Sequence, residues 1–146
     1  MTLLQKKIST VAATLLLLAG CATENPLYPE PKITEDVHKV MALVDKGGES
    51  GKEQTYEALF AGYTGCMPSG RQWEEMEPGV IFFSCRAPSG GMLQFIWRAK
   101  NERFVLDEVV VTNMADQEWS AMNYRGADVE KMLERVRQNR PVIDER

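Results

Sequence analysis

The chain has 146 residues, a formal net charge of −4 and 44% apolar residues. That length suits one modest domain, and that apolar share is enough to fill a core, which excludes a wholly disordered chain. The acidic balance disfavours nucleic acid as a partner, because phosphates call for a basic surface.

The first residues have the three-part build of a secretory signal. Lys6 and Lys7 form the positive n-region. The uncharged run from Ile8 to Ala19 forms an h-region too short to span a bilayer, which takes about 20 residues. Leu18-Ala19-Gly20-Cys21 then resembles the lipobox of bacterial lipoproteins, Leu-(Ala/Ser/Thr)-(Gly/Ala)-Cys. The resemblance covers residues 1–21. It implies cleavage before Cys21, a diacylglyceryl group on its thiol and an N-acyl group on the new terminus. Each buried acyl CH₂ is worth about 0.8 kcal/mol, and two or more chains anchor stably. In that class Ala22, rather than Asp, after the lipid cysteine points to the outer membrane, facing the periplasm.

Cleavage would remove Lys6 and Lys7. The basic count then falls from 17 to 15 against 21 acidic residues, a net charge of −6. Such a charge disfavours a second, electrostatic attachment to anionic lipid. With Cys21 lipidated, Cys66 and Cys85 remain, and an oxidising compartment predicts a disulfide between them. It would close a loop of about 20 residues and add about 3 kcal/mol in the chain-entropy picture. Their spacing and the single His38 do not suit a metal site. The covalent lipid is the one non-protein group the sequence implies.

Residues 21–31 read as a tether, with Pro26, Pro29 and Pro31 favouring extended backbone. A single domain over 32–140 follows. Thr34 is expected to cap a first helix carrying Val37, Val40, Met41 and Val44 on one face. His38 lies beside that stripe as a surface or half-buried residue. Ser50-Gly51-Lys52-Glu53 matches a capping box and predicts a second helix to about Ala61, so that the two form an αα-hairpin. The glycines Gly47, Gly48 and Gly51 lack the lysine-hydroxyl ending and preceding strand of a phosphate loop.

From Tyr63 to Gly79 the pattern is irregular, broken by Gly65, Pro68, Gly70 and Pro78. Within it the Gly65–Gly79 loop, with the Pro88–Gly91 turn, is the candidate partner-binding surface. Ser69, Arg71, Trp73 and Ser89 are its candidate residues, since Trp and Arg are enriched at interface hot spots. Three strands are predicted next, Val80 to Arg86, Met92 to Ala99 and Phe104 to Thr112. In the third, Val105, Val109 and Val111 share one face, and Phe104, Leu106 and Val110 the other. Both faces are apolar enough that one needs a second cover, from the helices or from a partner. Asp116 to Gly126 reads as a short helix or turn. Val129, Met132, Leu133 and Val136 predict a last helix with Asp128 as its cap, and 141–146 reads as a tail.

The expected fold is therefore α+β, in the order α-α-β-β-β-α. A three-stranded antiparallel meander packs against an N-terminal αα-hairpin and a C-terminal helix. No catalytic constellation emerges. No Gly-x-Ser-x-Gly elbow surrounds Ser69, Ser84 or Ser89 as a partner for His38, and Glu75 with Asp107 is a carboxylate pair any acidic chain offers. Ser69-Gly70-Arg71-Gln72-Trp73 is similar to the Ser-Gly-x-x-Tyr motif of membrane-bound inhibitors of C-type lysozyme, with Trp73 in the tyrosine place. The likeness covers five residues, and that family is an all-β barrel; it implies inhibition of a periplasmic lysozyme-like muramidase as the alternative function. The layout of lipid, tether and small domain resembles that of α+β lipoproteins that scaffold outer-membrane machines or secretion apparatus. The expectation is a lipid-anchored envelope protein, not an enzyme, that binds a protein partner; a hydrolase is the third reading.

Overall fold

The computed structural model describes residues 29–115 and 118–142. The signal segment, Cys21, the tether up to residue 28, Asp116, Gln117 and residues 143–146 lie outside the described residues.

Helix α1 spans Glu35–Met41. Thr34 caps it, its Oγ1 accepting from the Val37 N–H at 3.3 Å. Val37 and Val40 are buried, but the apolar stripe ends one turn early. Ala42 closes the helix, and Val44 passes into strand β1, Val44–Asp45, which pairs with β2, Gln54–Thr55. The predicted αα-hairpin is thus corrected to two helices joined through a two-stranded ribbon. Ser50 does not cap the second helix. Its hydroxyl is spent in the tight turn before it, donating to the Gly47 carbonyl at 2.8 Å and accepting from Lys52 N–H at 3.3 Å. That turn needs Gly47, whose φ is 81° and whose Cβ would lie 2.4 Å from the Lys52 nitrogen. Thr55 takes over as cap, accepting from Ala58 N–H at 3.2 Å, and α2 runs Tyr56–Ala61.

The expected three-stranded meander is corrected to a five-stranded antiparallel sheet in order β3-β4-β5-β6-β7. Its strands are β3 Gln72–Glu77, β4 Val80–Arg86, β5 Met92–Lys100, β6 Arg103–Ala115 and β7 Glu118–Arg125. The two extra strands are the edges. β3 lies in the stretch read as a loop. Its run of glutamates is poor strand material, and pairing with β4 through Trp73↔Phe83 and Glu75↔Ile81 overrides that preference. β7 lies in the stretch read as a helix or turn. Helix α3 follows directly, Ala127–Arg137. Gly126, at φ 60°, forms its start; Asp128 is in the first turn and bonds Lys131 at 2.8 Å instead of capping.

A bulge between β5 and β6 reverses the expected facing of half a strand. Ile96 pairs with Glu108 and Trp97 with Leu106, leaving Asp107 as the extra residue. Phe104 and Leu106 therefore face inward along with Val109 and Val111. All three helices pack on that one face. Val37, Val40, Leu59, Phe60, Leu133 and Val136 meet Phe83, Phe95 and Trp97 there. Pro141 and Val142 close the end of the core. Val142 is buried, and its N–H donates to the Tyr63 hydroxyl at 3.0 Å, which itself donates to the Arg140 carbonyl at 2.9 Å.

Two crosslinks brace this core. Cys66 and Cys85 are disulfide-bonded, with Cα atoms 5.5 Å apart, tying the segment after α2 to β4. Changing both to Ala should lower stability by about 3 kcal/mol, read as a fall in the urea midpoint; an unchanged midpoint would contradict this. The second brace is ionic. Arg137 of α3 donates to both oxygens of Asp45 of β1, at 2.9 and 2.6 Å, with the two side chains only 6% and 2% exposed. Glu130 and Glu134 complete its fork.

Candidate functional site

Three of the four residues first put forward for binding do not form one surface. Arg71 is turned to the backbone. Its Nη1 donates to the Ala61 carbonyl at 2.5 Å, and its Nη2 to the carbonyls of Tyr63 at 2.8 Å and Cys66 at 3.1 Å. It thereby satisfies carbonyls at and beyond the end of α2. Trp73 packs against the core, with ring centroids 4.9 Å from Phe83, 5.3 Å from Trp97 and 5.9 Å from Phe60. The Trp of the Ser69–Trp73 motif thus presents no protruding ring to a cleft. Ser89 lines a small recess with Thr64, Asn139 and Pro141. Ser69 is exposed and borders a shallow cleft of about 320 Å³ with Met67, Gly70, Arg86 and Met92.

That cleft opens beside the sheet face that no helix covers. Strand registers arrange this face in rows. One row runs Glu74, Phe82, Ile96, Glu108, Arg125. The next runs Gln72, Ser84, Gln94, Val110, Asn123. A third runs Arg86, Met92, Thr112, Ala121. Among the described residues no element lies over these rows. Ile96 is nevertheless buried by its neighbours and belongs to no part of the helix-side core. Phe82 and Val110 flank it, half-buried. β6 and β7 continue pairing to Ala115↔Glu118, beyond the Met92↔Thr112 end of β5, so their hairpin overhangs the sheet. On β7 Trp119 is 60% exposed.

One end of this face carries a charge network built at the bulge. Glu108 accepts from Arg98 at 3.0 Å, Arg125 at 3.1 Å and Asn123 at 2.7 Å. Asp107 accepts from Arg98 at 2.8 Å and from Lys100. Burial pushes the Glu108 carboxyl upward, but the bonds from Arg98, Arg125 and Asn123 outweigh it, so Glu108 titrates below its ordinary 4.5. The hydrogen bond from Lys100, with that from Arg98, holds Asp107 below its ordinary 3.8. Both groups are depressed in the fold, so the stability they add is present above pH 4.5 and is lost as pH falls through the folded values. Glu108→Gln should therefore cost about 1–2 kcal/mol at pH 7. Its deficit against the parent should shrink as urea midpoints are taken below pH 4.5; a constant deficit would contradict this assignment.

The residues considered for catalysis do not converge. His38 is exposed on α1. Glu75 faces the helices, where it accepts from the Thr34 hydroxyl at 2.5 Å. Asp107 belongs to the network above, three strands away, about 14 Å at ordinary strand spacing. No group of three or more metal-ligating side chains occurs among the described residues. None of their helices is long and apolar enough to cross a membrane.

The sequence missed Phe82, Val110 and Trp119 as surface candidates. The one available signal was the doubly apolar third strand, which called for a second cover. The fold and face define a small α+β domain with a one-sided antiparallel sheet. Compared with protein families, curated proteins and solved structures, the chain matches none.

Proposed function

We propose that this chain is a lipid-anchored lipoprotein of the bacterial envelope whose uncovered sheet face binds an envelope protein. The observation that carries the binding role is the face itself. Its half-buried Phe82 and Val110 are apolar, its Gln94, Thr112 and Asn123 offer hydrogen bonds, and no helix of the described chain packs on it. Such a half-apolar patch with a polar surround is the composition of a non-obligate interface. The anchor rests on Leu18-Ala19-Gly20-Cys21 and its resemblance to the lipobox. Lipid at Cys21 with a proline-bearing tether would hold the domain off the headgroups, where it meets proteins.

Two measurements test the two halves. Cys21→Ser should abolish fatty-acid labelling and release the protein from membranes; continued labelling would defeat the anchor. Val110→Lys, on the open face, should reduce chemical crosslinking to envelope proteins at least tenfold while the unfolding free energy from urea titration stays within about 1 kcal/mol of the parent. The same crosslinked set in parent and variant would remove this face from the account.

A further inference from the structure

The two edges of the sheet are built differently. β3 is blocked. Its Glu75 N–H donates to the Lys32 carbonyl at 2.9 Å, its register shifts between Glu75 and Glu77, and Pro78 ends it. Blocked, bulged and proline-bounded edges are how proteins prevent strands from pairing with another chain. β7 has none of these devices. It runs from Glu118 to Arg125 without a register shift or a proline. Among the described residues no backbone group bonds to its far edge. Its two large apolar side chains point to opposite faces and are both exposed, Trp119 at 60% and Met122 at 56%.

We infer that β7 is a homodimer strand, pairing antiparallel with β7 of a second copy about a two-fold axis through Met122. An axis perpendicular to the sheet is the one that sets two copies of a strand side by side and antiparallel. It keeps the helices of both copies on one side, so only residues on the same face can stand opposite each other. Any residue of the strand can lie at the centre; the registers that pair most of it are those near its middle, centred on Ala121, Met122 or Asn123. The Met122 register alone treats both exposed apolar residues. It sets Met122 against the second Met122 on the helix side. On the other face it sets Trp119 against Arg125 of the second copy, a cation over an aromatic ring. Ser120 meets Tyr124 and Ala121 meets Asn123, so small stands against large and no like charges meet. Centring on Ala121 would put Trp119 against Asn123 and Met122 against Ser120. Centring on Asn123 would leave Trp119 beyond the paired stretch. The product is one continuous sheet in which two open faces adjoin and the blocked β3 edges lie outermost.

The register makes a prediction at one residue. Opposed Cα atoms in an antiparallel pair lie about 4.5–5.5 Å apart, within disulfide reach. Full-length Met122→Cys protein, in its own membranes and treated with copper-phenanthroline, should run as a reducible dimer on a non-reducing gel. Met76→Cys, equally exposed on β3, should stay monomeric under the same treatment. The unaltered full-length chain in mild detergent should show the mass of two copies by light scattering, and Met122→Lys should halve it by placing two ammonium groups on the axis. A monomeric unaltered chain would overturn the inference whatever the cysteine variant does. So would Met122→Cys protein that joins only a different protein, or a dimer that forms equally from Met76→Cys.

Discussion

Replacing Arg137 with Ala should cost about 3–5 kcal/mol, the largest single loss expected in this domain. The guanidinium bonds both Asp45 oxygens, and Asp45 is 2% exposed. Truncating the arginine leaves that carboxylate buried without its counter-ion, and Asp45 keeps only the Gly47 N–H at 3.3 Å. For a domain of this size the fall in melting temperature would be on the order of 15 °C. The double variant Asp45→Asn with Arg137→Met should recover most of it, because an unpaired buried charge costs far more than the pair contributes. A single variant that melts within 3 °C or so of the parent would show that the pair is exposed in solution. The brace matters to function through position. It ties α3 to strand β1 on the helix side of the sheet.

Trp73→Ala is the second large effect, about 3 kcal/mol by loss of ring contacts with Phe60, Phe83 and Trp97. Its interest lies in separating two accounts. If Trp73 were a binding anchor, its removal would weaken partner capture and leave folding alone. The packing predicts the reverse. Stability falls, read from the urea midpoint, while capture by the molecules that remain folded is retained. Loss of capture at an unchanged midpoint would return Trp73 to the binding surface.

The contrast at Trp73 also shows what could be read from the chain. Thr34 as cap, the three central strands and the α3 stripe of Val129, Leu133 and Val136 were legible, because local pattern and burial agree there. The Cys66–Cys85 bond was legible from the cysteine count, given the oxidising compartment that the lipobox resemblance implies. The edges were not. β7 carries its aromatic residues at Trp119 and Tyr124, an odd spacing that puts them on opposite faces and leaves no two-residue period. β3 carries Glu74, Glu75 and Glu77, and only its pairing with β4 makes it a strand. The bulge at Asp107 has no local signal, and it alone decides that Phe104 and Leu106 go inside while Val110 stays out. The candidate surface moved for that reason: it is set by which face the helices leave, and helix placement is a tertiary fact.

The most direct test of the binding face uses a photo-crosslinking amino acid in the full-length protein within living cells. Placed at Val110, on the open face, it should give a discrete adduct with one envelope protein. Placed at Lys131, on the exposed side of α3, it should give none. An adduct from Lys131 with none from Val110 would contradict the account and place recognition on the helices.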